Sequence, residues 1–225
     1  MPLLSVIIQV YNEAKTIWLI VEKVNAVAVD KEIIVVDDGS SDGTDKILRE
    51  MSYPNLKVIH HTSNRGKGAA FLTGLANATG ELVIIQDGDL EYNPEEYTKL
   101  IEEFKKEDVD LVLGVRFTEE YHGLLIPRLG NRLLTGMLNF LFVTRINDIL
   151  TCYKLMRRAT LDGLGLKSQG FDIDIEIIAK TLKKRLRIKE IPASYLPRSY
   201  AEGKKIKWID GIWDIGNIIK YRLTS

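Results

Sequence analysis

A chain of 225 residues holds one sizeable α/β domain or two small ones, and 45% apolar with 28% charged residues is an ordinary globular balance. Lys plus Arg and Asp plus Glu each number 31, so no global field favours nucleic acid or another polyanion as a partner. Cys152 is the single cysteine, which excludes an intramolecular disulfide and fits a reducing compartment.

Residues 4–10 begin the pattern as a strand-like apolar run, with neither the basic region nor the small-residue cleavage site of a signal peptide. Further buried strands are expected at 32–36, 56–59, 82–85 and 111–113, separated by helices at 14–27, 44–51, 68–78 and 94–106. This alternation predicts a mostly parallel central sheet with helices on both faces. Asp42-Gly43-Thr44 and Pro94-Glu95-Glu96 read as helix entries, with capping groups or acids at the positive end of the helix dipole. From 116 to 130 the pattern loosens into a long expected loop. An apolar helix (133–142), a short strand (153–156), an amphipathic helix (172–184), a strand near 187–191 and a helix over 208–223 follow. The expectation is one domain over 1–225, regular over 1–115 and variable over 116–225. No stretch approaches the roughly 18 to 20 apolar residues needed to cross a bilayer, so a soluble or peripheral protein is expected.

Two acidic segments follow apolar strands. Asp37-Asp38-Gly39-Ser40 closes the second strand, and ligands in open α/β sheets bind beyond the carboxyl ends of strands. A carboxylate there can accept hydrogen bonds from ribose hydroxyls or a base N–H; a solvated turn with a helix cap is the alternative. Asp87-Gly88-Asp89-Leu90-Glu91 repeats the arrangement later in the chain, with Asp87 and Asp89 on one side of an extended segment and Gly88 leaving room for a ligand. Such carboxylates are the oxygen ligands that Mg²⁺ or Mn²⁺ shares with phosphates and water. A loop of solvated acids is the alternative. The pair of acidic strand ends suggests one for the nucleoside and one for the metal–diphosphate.

Tyr11-Asn12-Glu13, Val35-Val36-Asp37-Asp38-Gly39-Ser40, Asn64-Arg65-Gly66-Lys67-Gly68 and Gln86-Asp87-Gly88-Asp89-Leu90-Glu91 occur in the order seen in family-2 glycosyltransferases of GT-A (Rossmann-like) fold, which the chain resembles. Gly114-Val115-Arg116-Phe117, Gly130-Asn131-Arg132, the segment from Asp148 to Lys154, and Glu190-Ile191-Pro192 followed by Arg198 are similar to the branch containing dolichol-phosphate mannose and glucose synthases. Two departures are Gly88, where Ala is commoner, and the absence of the C-terminal membrane helices many relatives carry. The resemblance implies that Tyr11, Glu13, Asp37 and Asp38 hold the nucleoside and that Asp87, Asp89 and Glu91 hold Mg²⁺ or Mn²⁺ on the diphosphate. Residues 64–68 would line the site as a phosphate loop carrying Lys67, although they lack the Walker spacing. It also implies inverting transfer of a hexose from GDP-mannose or UDP-glucose to a polyprenyl phosphate, with Asp89 and Arg116 as catalytic residues.

A hydroxyl acceptor would need a base, for which Asp172 is the candidate; Glu176, one turn on, shares its face, and Asp174 is expected to point elsewhere. A helix-dipole acid is the alternative for Asp172. A lipid-phosphate acceptor needs cations instead, and Arg116, Arg128, Arg132, Arg198 and Lys204 supply them. Lys204-Lys205-Ile206-Lys207-Trp208 and Trp213 mix cations and aromatics as interfacial helices do, so peripheral contact with the cytoplasmic face of a membrane is expected beside plain core packing. A non-catalytic sugar-nucleotide-binding protein or a nucleotidyltransferase is the competing class. The latter calls for a Gly-rich basic loop after the first strand, where this chain has Tyr11-Asn12-Glu13. His60, His61, His122 and Cys152 show no metal-ligand spacing; the histidines are expected to be structural or surface residues and Cys152 a buried thiol.

Overall fold

The computed structural model describes residues 1–106, 108–116, 125–198 and 208–224, with backbone alone at 125–127, 208–210 and 212. Lys204, Lys205 and His122 therefore lie outside the described residues.

The chain runs β1 (Leu4–Val10), α1 (Ile17–Ala26), β2 (Lys31–Asp37), α2 (Thr44–Glu50), β3 (Leu56–His60), α3 (Lys67–Ala76), β4 (Leu82–Asp87), α4 (Tyr97–Lys106) and β5 (Leu111–Val115). The rest is α5 (Leu125–Phe142), β6 (Lys154–Arg157), α6 (Arg158–Leu164), α7 (Ile173–Lys183), β7 (Ile188–Pro192) and α8 (Trp208–Leu223). A 3₁₀ turn at Pro94–Glu96, capped by Asn93, leads into α4. The strands form one seven-stranded sheet in the order β3-β2-β1-β4-β6-β5-β7. Only β6 runs antiparallel to its neighbours. Every residue of β1 is buried, so both faces of the sheet centre are covered, as a parallel sheet requires. The chain winds outward through β2 and β3 and then returns to place β4 on the other side of β1. That reversal opens a crevice at the carboxyl ends of β1 and β4.

The first half matches the periodicity closely, because its strands are continuous Val/Ile/Leu runs. The second half departs from it twice. The loop expected over 116–130 is helical from Leu125. Pro127 sits in the first turn of α5, where no intrahelical N–H is needed, and Gly130 stands in open space, so neither breaks the helix. Residues 158–164, unassigned from sequence, form α6, which ends at Gly165 in the left-handed conformation.

Candidate active site

The site is built where β1, β2 and β4 end. After β1, Asn12 takes a left-handed backbone (φ 50°) and binds the β2 turn in both directions. Its N–H donates to Ser40 Oγ (2.8 Å), and its Oδ1 accepts from Ser41 N–H (2.8 Å). Glu13 N–H donates to Thr44 Oγ1 and Ala14 N–H to Asp42 Oδ2, so the turn after β2 fixes the Tyr11–Ala14 loop. Tyr11 is half-buried beside it and Glu13 is buried.

Asp37 and Asp38 are 2% and 3% exposed and turn inward. Asp37 accepts from Ser40 N–H and pairs with His60 Nδ1 (3.0 Å). Asp38 pairs with His61 Nδ1 (2.6 Å) and accepts from the backbone of Arg65 (2.9 Å) and Gly66 (2.8 Å). These carboxylates thus anchor the Asn64–Lys67 loop, and the two histidines, structural as expected, complete the anchor. Gly39 is required here. Its φ is +73°, and a Cβ would stand 2.6 Å from the Ser63 carbonyl carbon.

The expected phosphate loop has a different construction. Gly68 and Ala69 donate their N–H groups to the carbonyls of Gly170 and Gln169, so this helix start spends its amides on the protein. Gly66 and Gly68 are there because the backbone of residues 168–170 passes against them. What reaches the site is the Lys67 side chain, whose Nζ lies 3.0 Å from Asp87 Oδ1 and 3.2 Å from Asp174 Oδ2. Burial alone would lower the Lys67 pKa, but Asp174 and Asp87 outweigh it and hold the ammonium well above its ordinary value.

On the β4 side, Gly88 is packed against β1. A Cβ would lie 3.0 Å from Val10 Cγ2 and 3.2 Å from the Gln9 carbonyl oxygen, so the glycine answers strand packing rather than ligand clearance. Asp89, 6% exposed, accepts from Glu91 N–H (3.0 Å) and lies 2.6 Å from Arg198 Nη2. Burial, then the charges of Asp87 and Glu91, push its carboxyl up to about 7 against the opposing pull of Arg198. Glu91 accepts from Tyr195 OH (2.9 Å) and Arg198 N–H (2.7 Å), and Arg198 Nη1 also lies 2.9 Å from Glu13 Oε2. Arg198 therefore joins the β1 and β4 loops. Among the described residues no three His, Cys, Asp or Glu side chains converge as a ready-made metal cluster. The charged partners at these acids are Lys67 on Asp87 and Arg198 on Asp89. The donor set still fits a divalent ion: it is all hard oxygen, and its mutual repulsion adds to burial in raising Asp89.

On the acceptor side, Arg116 makes a forked pair with the fully buried Asp148 (Nε–Oδ2 2.7 Å, Nη2–Oδ1 2.8 Å) and stacks 5.1 Å over the Tyr195 ring. Asn131 Nδ2 binds the same Asp148 (3.1 Å). Asn131 stands on α5 between Arg128 and Arg132, which are one turn apart. Arg128 is half-buried and Arg132 exposed.

The helix acids divide as expected, and the structure adds what each side meets. Asp172 and Glu176 do share a face, but it is turned to the 167–168 segment. Asp172 accepts from Ser168 Oγ and from Tyr221 OH (2.7 Å), clasping α7 to α8, and Glu176 accepts from Lys167 N–H and Ser168 N–H. Asp174, expected to point elsewhere, is the acid that meets Lys67; its other oxygen lies 2.6 Å from Lys154 Nζ, a lysine 1% exposed. Lys154 went unassigned from sequence because nothing in a four-residue strand marks a cation as buried. Cys152 is buried, and burial first, then Asp87 and Asp174, raises its thiol well above the ordinary value.

The glycosyl transferase family 2 signature matches residues 5–165, which contain both acidic strand ends. A dolichol-phosphate mannosyltransferase of Pyrococcus furiosus is 30% identical over 211 residues, covering 89% of this chain and 58% of the relative. A polyprenol monophosphomannose synthase of Mycolicibacterium smegmatis is 29% identical over 215 residues, covering 88% and 79%. This chain thus spans little more than half the length of the first of these relatives. Among solved structures, glucosyl-3-phosphoglycerate synthase from Mycobacterium tuberculosis, in complex with Mn²⁺, UDP-glucose and phosphoglyceric acid, superposes with a TM-score of 0.76 at 21% identity, covering 98% of this chain and 80% of that one. That likeness carries the GT-A fold alone. The crevice at the ends of β1 and β4, the acidic segments lining it and a signature matched over most of the chain lead to one assignment: this chain belongs to glycosyl transferase family 2.

Proposed function

We propose that the chain is an inverting glycosyltransferase that moves a hexose from a nucleotide-diphosphate sugar to a polyprenyl phosphate. The observation that carries the donor side is the meeting of Glu13, Asp87, Asp89 and Glu91 in one crevice at a topological reversal, with Lys67 and Arg198 as their counter-ions. Mg²⁺ or Mn²⁺ held by Asp87 and Asp89, with Glu91 beside them, would offset the charge that develops on the leaving diphosphate. Lys67 would then meet diphosphate oxygens. Tyr11 and Glu13, with the loop that Asp37 and Asp38 anchor, would border the nucleoside. GDP-mannose is favoured by the relatives named for mannose transfer, and UDP-glucose by the sugar nucleotide of the solved mycobacterial complex.

Two features support a phosphate acceptor. Asp172 is committed to Ser168 and Tyr221, and Asp174 is held ionised between two lysines, which makes each a poor base for a hydroxyl. The cations proposed for the acceptor are Arg116, with Arg128 and Arg132 one turn apart on α5 beside the Asn131 that shares Asp148 with Arg116. A phosphate oxyanion needs cations and no base.

A lipid acceptor also asks for a face that meets a bilayer. Leu129, Leu133 and Phe140 form an exposed stripe along α5, and Trp213, Ile215, Ile219 and Leu223 an exposed arc on α8, which packs against α5. Helix α5 contains no acidic residue, and the exposed charges beside these faces are Arg132, Lys220 and Arg222. Among the described side chains, an apolar surface beside Arg132, Lys220 and Arg222 suits the interface of an anionic membrane. No helix among the described residues is long and apolar enough to cross one. The contact in this proposal is peripheral, on the cytoplasmic face.

The donor reading is tested by thermal-shift titration with UDP- and GDP-sugars, with and without Mn²⁺. A shift that needs both sugar nucleotide and Mn²⁺, and is lost in Asp89→Ala, is expected. Sugar-nucleotide binding indifferent to Mn²⁺ would remove the metal from the account.

A further inference from the structure

Arg198 is placed where a site-lining arginine would not be expected to rest if its sole task were to bind substrate phosphate. Its Nη2 lies 2.6 Å from Asp89 Oδ2, its Nη1 lies 2.9 Å and 3.2 Å from the two Glu13 oxygens, and its backbone N–H donates to Glu91 Oε1 at 2.7 Å. One residue therefore satisfies three carboxylates that come from two different strand-end loops. The side chains of Arg198, Glu13, Asp89 and Glu91 are each 17% exposed or less, so water screens these charges little. Without a cation among them these acids repel one another.

The segment that carries Arg198 is tied to the same place. Tyr195 pairs with Tyr92 in an isolated antiparallel bridge and donates its hydroxyl to Glu91, and Leu196 N–H donates to the Glu91 carbonyl. The arginine is thus delivered to Asp89 by a backbone strap laid along the loop after β4.

From this geometry we infer that Arg198 is a displaceable internal counter-ion: it balances Asp89, Glu13 and Glu91 before metal arrives, and metal binding exchanges it from these carboxylates onto the incoming diphosphate. The inference rests on the reading of Asp87 and Asp89 as metal ligands. A divalent ion on Asp89 must sit about 2.0–2.2 Å from a carboxylate oxygen, and it cannot share Asp89 Oδ2 with a guanidinium nitrogen already in hydrogen-bond contact without strong cation–cation repulsion. The released fork is suited to the phosphate oxygens that arrive with the metal. Metal alone must displace Arg198 and leave the guanidinium with no anion; metal with a nucleoside diphosphate supplies both partners of the exchange. Binding of the two is therefore synergistic, and Arg198 is the source of the synergy.

Mn²⁺ affinity, measured by electron paramagnetic resonance titration of the full chain without nucleotide and again with saturating UDP or GDP, tests this. Arg198→Ala is expected to bind Mn²⁺ alone about 5-fold or more tightly than the unmodified chain, and to lose most of the enhancement that UDP or GDP confers. Arg198→Lys, whose point charge cannot bridge three carboxylates, is expected to move the same way by less and serves if the alanine variant does not fold. Asp89→Asn locates the ion. If Mn²⁺ binds through Asp89 but both Arg198 variants match or fall below the unmodified chain in affinity, the counter-ion role is overturned while the metal site stands. If Mn²⁺ binds independently of Asp89, the metal reading and the counter-ion role fall together.

Discussion

Lys154 Nζ and Asp174 Oδ1 stand 2.6 Å apart in the interior, and the pair continues through Lys67 to Asp87, making an alternating chain of four charges from β6 to the end of β4. The acid on α7 is thereby fixed relative to the proposed donor site. Removing one partner from such a set leaves an uncompensated buried charge. Asp174→Asn is expected to cost about 3–5 kcal/mol in urea unfolding, because it strands two lysines. The pH dependence follows from sign. Lys154 and Lys67 hold Asp174 below its ordinary value against the opposing effect of burial. Its contribution is then full above the unfolded carboxylate value of about 4 and is lost as pH falls through the lower folded value. The stability gap between the unmodified chain and Asp174→Asn should close toward acid pH; a gap that persists unchanged there would place the effect in packing.

Asp89→Ala is expected to abolish metal-dependent transfer while leaving the fold intact, since Asp89 sits after β4 rather than inside the core. Turnover by the folded variant at the unmodified rate would remove Asp89 from the chemistry.

Glycines at the two acidic strand ends should respond differently to alanine. Gly39→Ala places a side chain at φ +73° and against the Ser63 backbone, so a loss of about 2 kcal/mol or more is expected. Gly88→Ala meets Val10 Cγ2 at 3.0 Å and the Gln9 carbonyl oxygen at 3.2 Å, which ask for a small shift of β1 without left-handed strain, so a smaller loss of about 1 kcal/mol is expected. Equal losses in thermal unfolding would contradict the close approach at Gly39.

The exposed faces of α5 and α8 should carry the protein to anionic vesicles. Co-sedimentation with vesicles containing an anionic phospholipid is expected, weakened at high salt, and reduced several-fold by Phe140→Ser with Trp213→Ser. Equal binding by the double variant would place any lipid contact elsewhere.

Sequence period and residue type reached different depths in different parts of the chain. The strands of the first half and the two acidic strand ends were legible because continuous apolar runs ending in Asp are produced by a parallel sheet whose carboxyl ends face a ligand crevice. The inward turn of Asp37 and Asp38 was not, because it depends on His60 and His61 arriving from β3. The use of the glycines at residues 64–68 was hidden for a similar reason: glycines before a helix look the same whether a phosphate or, as at Gly66 and Gly68, the backbone of residues 168–170 lies against them. Helical spacing grouped Asp172 with Glu176 correctly and said nothing of what the shared face meets. Asp174 reaches Lys67 because α7 turns this side toward Lys154 of β6, a tertiary fact without a local signature. Arg198 was legible as a site-lining cation, but its bridging of Glu13 and Asp89 joins residues 185 and 109 positions apart.

The central claim is tested most directly by offering the full chain a labelled sugar nucleotide, Mn²⁺ and two acceptors at once, a polyprenyl phosphate in vesicles and a panel of free sugars. Label entering the organic phase as a base-independent glycosyl phosphate, undiminished in Asp172→Asn and lost in Asp89→Ala, is the predicted result. Label confined to the sugars, and lost in Asp172→Asn, would contradict it.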